Sequence, residues 1–312
     1  MKSGIVIKTT GSWHTVKTQE KEVFECKIKG KFRIDGLVTT NPIAVGDQVD
    51  LKVEDKDNKG LITKIHKRKN YIIRKSIKLS KKAHVIAANI DKAYLIVTLV
   101  NPETSTMFID RYLISAEAYR IPVTLLFNKV DIYDNDDKIY LKAIMNMYRS
   151  IGYDCVEISV VTKFNIDKVK NEMANKTVVV SGHSGVGKSS FINVLNSELN
   201  IKTCETSDVH QTGKHTTAYT EMFELDNGAF IIDTPGIKGF GIIDMYKEEI
   251  FHFFPEIFKE SKKCKFYNCT HVHEPECAVM NAVEEHRISL SRYQNYLSIM
   301  AEDEDEKYRK SF

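Results

Sequence analysis

With 312 residues, the chain is too long for one small core and long enough for two or three domains. Its 42% hydrophobic and 28% charged residues are ordinary for a soluble globular protein, and six cysteines are too few for a disulfide scaffold. The net charge of +3 is too small to identify a partner. Because the longest apolar runs have only strand length, we expect no signal peptide, no membrane association and a cytoplasmic location.

Residues 1–66 contain about five short strands, bounded by turn residues, and no helical pattern. "VGDQVDLKV", for example, alternates apolar and polar residues after a Gly-Asp turn. This pattern predicts a small β-barrel of the OB type over residues 1–68. Trp13, Phe24 and Phe32 are either core residues of this barrel or aromatic surfaces on which RNA bases stack.

A basic run follows the barrel, with nine Lys or Arg residues and no Asp or Glu between Lys64 and Lys82. Such a run is either a solvated basic face or a surface that attracts the phosphates of a nucleic acid.

From residue 84 onward, buried strands alternate with helices, which predicts a mainly parallel sheet with helices on both faces. Thr104 to Thr106 are possible caps of the first helix, and Gly152 closes the second. We assign residues 69–245 to this central α/β domain and residues 246–312 to a mainly helical domain with a Cys/His cluster.

The stretch "GHSGVGKS" at 182–189 matches the phosphate loop G-x-x-x-x-G-K-[ST], and it lies between an apolar strand and a helix. Its glycines allow backbone N–H groups to face phosphates, Lys188 can reach the β and γ phosphates, and Ser189 can bind Mg²⁺. The predicted phosphate-binding residues are Gly182, His183, Ser184, Gly185, Val186, Gly187, Lys188, Ser189 and Ser190.

Two further segments contain residues expected to contact the γ phosphate and Mg²⁺ in such a site. "DTPG" at 233–236 follows an apolar strand, so Asp233 is predicted to act on Mg²⁺ and the Gly236 N–H to contact the γ phosphate. In "GKHTTAYTE" at 213–221, Thr216 or Thr217 is predicted to close over the metal, and the sequence does not choose between them.

"NKVD" at 128–131 has the form that recognises guanine. The Asp131 carboxylate can accept from the ring N–H and the exocyclic amine of guanine, which adenine cannot offer. Asn128 fits the purine edge, the Lys129 stem packs along the ring, and Ser159, at the end of the next strand, can add a backbone contact. This motif precedes the phosphate loop, and cyclic rotation of the motif order gives the usual GTPase order.

The stretch 264–279, "CKFYNCTHVHEPECAV", offers three thiols and an imidazole within 14 residues. Cys264, Cys269 and Cys277, with either His271 or His273, suit tetrahedral Zn²⁺. Four protein ligands leave no open coordination position, so we expect one structural zinc ion.

Nearly the whole chain resembles the RsgA (YjeQ/YloQ) family of circularly permuted GTPases that depend on the small ribosomal subunit. "IAANID" at 86–91, "NKVD", "GHSGVGKSS", "GKHTT", "DTPGIKGFGI" and the cysteine cluster occur in that family in this order. The resemblance implies a permuted P-loop GTPase domain, GTP and GDP with Mg²⁺ as ligands, and the small ribosomal subunit and its rRNA as partner. It favours His271 over His273 as the zinc ligand. We also expect a monomer.

Ile237 occupies the position after the DTPG glycine, where Ras-type enzymes carry the glutamine that orients water. Turnover therefore requires another group or a partner, and both its position and the resemblance point to His215 as the catalytic residue. The expected function is GTP hydrolysis coupled to late small-subunit maturation and to release of the protein. Two alternatives are an RNA-binding zinc and barrel protein with a vestigial nucleotide site, and a P-loop ATPase or kinase, which "NKVD" disfavours.

Overall fold

The computed structural model describes residues 1–28, 42–54, 58–75, 83–196, 221–233 and 246–302. The N-terminal strands are β1 (Lys2–Thr10), β2 (Trp13–Thr18), β3 (Val23–Ile28), β4 (Gln48–Glu54), β5 (Lys59–Ile65), β6 (Tyr71–Lys75) and β7 (Ala83–Ala88). The α/β elements are β8 (Lys92–Val97), α1 (Thr106–Ala118), β9 (Val123–Phe127), α2 (Asn135–Ile151), β10 (Asp154–Glu157), α3 (Ile166–Met173), β11 (Thr177–Ser181), α4 (Lys188–Leu195), β12 (Glu221–Glu224) and β13 (Phe230–Asp233). The C-terminal helices are α5 (Pro255–Ser261), α6 (Ala278–Glu284) and α7 (Leu290–Ala301), preceded by a 3-10 stretch at Lys247–Phe253.

These elements form two compact units. The first takes its residues from Met1–Tyr94, Asn165–Ser181 and Gly187–Ile237. The second takes its residues from Leu95–Phe164, Gly182–Val186 and Lys238–Phe312.

The first unit contains the predicted barrel. Strands β1 to β5 are neighbours in the order β1-β2-β3-β5-β4, and pairing of β1 with β4 closes the circle. Its core consists of buried apolar side chains contributed by every strand, because alternate residues of a strand face inward. The core residues are Val6, Val16, Phe24, Cys26, Ile43, Val49, Leu51 and Ile62.

Three aromatic residues of this region were candidates for base stacking. Phe24 is only 5% exposed and belongs to the core, so it offers no stacking surface. Trp13 is 37% exposed, and the Lys27 ammonium lies 4.4 Å from its ring centre. Phe32 lies outside the described residues.

Arg68, within the basic run, is committed to an internal contact. Its guanidinium donates to both carboxylate oxygens of the buried Asp47, at 2.6 and 2.7 Å, and to the Pro42 carbonyl. Asp47 also accepts from the Ala44 N–H at 2.8 Å, so this pair holds the turn that leads into β4. Arg68 therefore stabilises the barrel instead of adding to a surface for phosphates.

The barrel continues into a second group of strands within the same unit. Strand β11 runs parallel to β13, β13 pairs antiparallel with β12, and β12 pairs with β1 through Lys8 and Glu221. Lys17 and Glu224 form an ion pair beside this junction. In the β12–β13 register Glu221 lies opposite Asp233.

The second unit combines parallel strands with helices. Strands β9 and β10 are parallel neighbours, as the alternation of strands and helices predicted. Ser105 caps α1 by accepting from the Phe108 N–H, and Gly152 ends α2 with a φ of 119°, which confirms both sequence predictions. The C-terminal helices pack around a core that includes Phe254, Ile257, Tyr296 and Ile299. None of the helices in the described part of the chain is long and apolar enough to cross a membrane.

His14 is fully buried in the first unit, and neither of its ring nitrogens has a hydrogen-bond partner among the described residues. Burial lowers its pKa from 6.5, although the charges of Asp47 and Glu25 oppose that shift. Below pH 6.5, His14 is protonated in the unfolded chain but stays neutral in the folded barrel until a lower pH. The free energy of unfolding therefore decreases as the pH falls below 6.5.

We predict that His14→Met removes this loss of stability at acidic pH. The free energy of unfolding of the wild type should fall relative to the variant by at most about 1.4 kcal/mol per pH unit below 6.5. Urea unfolding at pH 7.5 and 5.0, followed by fluorescence of Trp13, the single tryptophan, measures this difference. His286→Gln, at an exposed histidine, is the control. An equal pH dependence in the wild type and His14→Met would contradict the prediction.

Candidate functional site: a nucleotide site and a metal centre

Asn128 connects the three loops that the sequence associates with a nucleotide. It follows β9 directly and is only 2% exposed. Its side-chain Nδ2 donates to the Val186 carbonyl of the phosphate loop at 2.8 Å, and its Oδ1 accepts from the Val160 N–H at 3.2 Å. The predicted base-reading loop is thus held against both the phosphate loop and the loop after β10.

Tyr133 supports the same turn from the other side. Its hydroxyl donates to the Asn128 carbonyl at 2.7 Å and accepts from the Leu99 N–H at 2.9 Å. Burial raises the pKa of Tyr133 to about 12, so the donor proton is retained at neutral pH. Nothing in the sequence pattern pointed to this residue.

Lys129 and Asp131 of the base-reading motif are more exposed than Asn128. Lys129 adopts a left-handed conformation, with a φ of 66°, and its ammonium donates to the Asn101 carbonyl. Asp131 is exposed in the 3-10 turn Val130–Ile132. It lines a cavity of about 440 Å³, together with Val130, Lys138, Leu141, Lys142, Glu157, Thr162 and Phe164.

Ser159 is buried in a tight loop. Its N–H donates to the Phe164 carbonyl at 3.2 Å, and its hydroxyl accepts from the Thr162 N–H at 3.1 Å. The loop is therefore held by its own hydrogen bonds. The predicted contact of Ser159 with the base stays a prediction.

The phosphate loop connects β11 to α4, as the sequence predicted. At Gly182, where φ is 154°, a Cβ atom would lie 2.8 Å from both the Ile96 carbonyl and a Val186 methyl, so no side chain fits. Gly187 has a φ of 96° and is the N-cap of α4, where its carbonyl accepts from the Phe191 N–H. Lys188, Ser189 and Ser190 form the first turn of this helix and are partly exposed, as N–H groups facing a ligand require.

Some of the remaining predicted residues lie in the described part of the chain, and the others lie outside it. Ser184 is exposed, whereas the ring of His183 lies against Thr104. Asp233 ends β13 opposite Glu221. His215, Thr216, Thr217 and Gly236 lie outside the described residues.

The predicted metal ligands come together in the C-terminal helical region. The Sγ atoms of Cys264, Cys269 and Cys277 and the Nδ1 atom of His271 all lie within 4.8 Å of one another. Four of these pairs are separated by 3.5–4.0 Å. Because four ligands about 2.3 Å from a zinc ion lie about 3.8 Å apart in a tetrahedron, the spacing fits a tetrahedral ion. The competing His273 is exposed, so the structure selects His271.

The surroundings of this cluster hold its ligands in place. Tyr293 donates to the His271 carbonyl at 2.7 Å, and Tyr296 donates to the Thr270 carbonyl at 2.6 Å. Burial raises the pKa of the Cys269 thiol to about 12, so a bound cation must displace a proton there. The buried Nε2 of His271 has no hydrogen-bond partner among the described residues, and the Phe251 ring packs edge-on against the imidazole.

Glu274 stabilises the loop that carries the cluster residue His271. Its carboxylate accepts from the N–H and hydroxyl of Thr270, both at 2.6 Å, and from the Val272 N–H at 3.0 Å. Burial of Glu274 raises its pKa, but these hydrogen bonds outweigh burial and lower the pKa to about 2. These hydrogen bonds hold the backbone on both sides of the cluster residue His271.

Comparison with known proteins identifies the family. The family model described as RsgA GTPase matches residues 65–243, and the RsgA N-terminal domain model matches residues 3–62. The small ribosomal subunit biogenesis GTPase RsgA of Bacteroides fragilis is 53% identical over 309 residues, which covers 99% of both chains. Its namesake from Christiangramia forsetii is 52% identical over 308 residues, with 98% of each covered.

Two solved structures share the fold. YjeQ from Thermotoga maritima superposes with a TM-score of 0.79 at 34% identity, covering 96% of this chain and 97% of that one. YloQ, described as a circularly permuted GTPase, gives a TM-score of 0.78 at 30% identity, covering 99% and 97%. This chain carries the same permuted order, with the base-reading motif before the phosphate loop, and it belongs to the RsgA family of GTPases.

Proposed function

We propose that the protein binds the small ribosomal subunit and its rRNA, hydrolyses GTP to GDP and phosphate, and uses hydrolysis to time late subunit maturation and its own release. The curated relatives carry the name of such a biogenesis GTPase. The observation that carries the proposal is the Asn128 side chain, which holds a base-reading loop beside a phosphate loop. That arrangement is expected of a working nucleotide site.

Within this site each motif takes one part of the nucleotide. Asp131 reads the guanine amine and ring N–H, with Asn128, Lys129 and Ser159 supporting the base. The phosphate loop from Gly182 to Ser190 binds the phosphates, and Gly236 senses the γ phosphate. Mg²⁺ is held by Ser189, Asp233 and either Thr216 or Thr217.

The proposed domain division follows the same roles. Residues 1–68 form a barrel that contacts RNA, residues 69–245 form the GTPase domain, and residues 246–312 form a helical domain built around one structural zinc ion. The protein acts as a cytoplasmic monomer. Because Ile237 cannot orient water, hydrolysis alone is slow, on the order of 10⁻⁴ to 10⁻² per second, and the subunit accelerates it.

Turnover with purified small subunits, large subunits or neither tests this proposal. We expect small subunits alone to stimulate GTP hydrolysis by about 10³-fold, which requires removing only about 4 kcal/mol of barrier. Nucleotide binding without turnover under any condition would instead favour an RNA-binding protein with a vestigial GTPase site.

Asp131→Asn should convert the nucleotide preference. The amide can no longer accept from both guanine donors but can pair with the carbonyl of xanthine, so GTP affinity should fall about 100-fold and xanthosine triphosphate should bind instead. Competition binding with both nucleotides measures the switch, with Asp136→Asn at a nearby exposed carboxylate as control. Unchanged GTP preference, or equal binding of ATP by the wild type, would contradict guanine recognition.

His215→Ala should reduce subunit-stimulated turnover by about 100-fold or more, because a positioned acid–base group contributes on that scale. Affinity for GTP should change by less than about twofold, since the imidazole is not needed to bind phosphates. His210→Ala, in the same segment, is the matched control. Equal stimulated turnover in His215→Ala and the wild type would remove His215 from the mechanism.

Cys277→Ala should abolish zinc binding. We expect about one zinc ion per chain in the wild type and in Cys155→Ala, a buried thiol outside the cluster, and close to none in Cys277→Ala. Elemental analysis of the purified proteins measures this content. Full zinc occupancy in Cys277→Ala would show that the cluster is not the zinc site.

A further inference from the structure

The ring of His183 is held on both sides at the start of the phosphate loop. Its Nε2 lies 2.7 Å from the Thr104 hydroxyl, and its Nδ1 lies 3.0 Å from the Ser184 carbonyl. The ring packs edge-on against Phe108, with 5.5 Å between ring centres. Because a carbonyl can only accept, the Nδ1 atom carries a proton and donates it to Ser184.

Thr104 belongs to a short, self-closed connection between β8 and α1. Its N–H donates to the Thr98 carbonyl at 2.8 Å, and its hydroxyl accepts from the Thr98 N–H at 3.1 Å. Thr104 is only 5% exposed, and the following residue, Ser105, caps α1. The His183–Thr104 contact therefore joins the phosphate loop to the connection that leads into α1, two residues before the helix begins.

One turn further along α1, a buried cluster joins that helix to the C-terminal helices. Asp110 is fully buried, and it accepts from Arg292 of α7 at 2.6 Å, from Asn295 of α7 at 2.6 Å and from Tyr148 of α2 at 2.8 Å. Arg292 is itself 1% exposed and also binds both carboxylate oxygens of Glu256. Because a displaced helix would leave buried charges unpaired, this cluster fixes α1 against α7.

We propose that His183 is a positioning residue, which holds the phosphate loop in its nucleotide-binding geometry through Thr104. Arg292 links the C-terminal helices to the phosphate loop, because it fixes α1, and the His183–Thr104 contact depends on the position of α1. This proposal rests on the proposed function in one respect: it takes residues 182–190 as the loop that binds the nucleotide. It makes nucleotide affinity depend on α7, although no residue of α7 belongs to a nucleotide motif.

Substitutions at His183 test the first step in the full-length protein. His183→Ala should weaken binding of a fluorescent GDP analogue about tenfold, since a partly buried hydrogen bond to Thr104 and the loop geometry it holds are lost. His183→Gln can still reach Thr104 and should bind within about twofold of the wild type, whereas the shorter His183→Asn should behave like His183→Ala. The KM for GTP should rise in His183→Ala with kcat unchanged, and the exposed His286→Ala is the matched control.

Substitutions in α7 test the second step. Arg292→Lys keeps the charge but loses the fork that binds Asp110 and Glu256 together, so it should weaken GDP-analogue binding about threefold. Arg287→Lys, at a partly exposed arginine paired with Glu260 and Glu285, should leave binding unchanged. If Arg292→Lys does not fold, Asn295→Ala removes one of the contacts to Asp110 and should shift affinity in the same direction.

The outcomes separate the two proposals. Failure of the wild type to bind any guanine nucleotide would overturn the proposed function. Tight wild-type binding with unchanged affinity in His183→Ala, or with His183→Gln as weak as His183→Ala, would overturn the role of His183. Unchanged affinity in a folded Arg292→Lys or Asn295→Ala protein would overturn the link to α7.

Discussion

The carboxamide of Asn128 makes the contacts on which the predicted nucleotide site depends. It donates to the phosphate loop at Val186 and accepts from Val160, so one buried group sets the spacing of three loops that are distant in the chain. The carboxamide supplies both a donor and an acceptor at this position. Leucine would leave the Val186 carbonyl and the Val160 N–H unpaired, and aspartate would leave the Val186 carbonyl unpaired, at a cost of about 1–3 kcal/mol for each buried group. Contacts within the protein therefore set the spacing between the predicted base-reading loop and the predicted phosphate loop.

The permuted chain order changes which segments the chain connects to the predicted nucleotide motifs. The hairpin of β12 and β13 begins just after the predicted switch threonines and ends at Asp233, and its strand β12 pairs with barrel strand β1. After Asp233 the chain continues to the helices around the Cys/His cluster. The predicted RNA-contacting barrel is therefore connected by strand pairing, and the helical region around the Cys/His cluster by the chain itself, to segments expected to sense the γ phosphate.

Much of this organisation could be predicted from the sequence because it rests on local patterns. The alternation in "VGDQVDLKV", the glycine spacing of the phosphate loop and the ligand spacing of the Cys/His cluster each predicted a feature that the structure contains. The missed features depend on contacts between distant residues. Thr104 and Tyr133 carry no motif, the pairing of Arg68 with Asp47 removes a charge from the basic run, and burial of Phe24 follows from its inward place in a closed barrel.

GTP and GDP are proposed to give the protein different affinities for the small ribosomal subunit. The most direct measurement is sedimentation of the full-length protein with purified small subunits in the presence of a non-hydrolysable GTP analogue or GDP, at one fixed salt concentration. We predict at least about tenfold tighter binding with the GTP analogue, because release is proposed to follow hydrolysis. Equal binding in the two nucleotide states would contradict the account, since hydrolysis could not then time release.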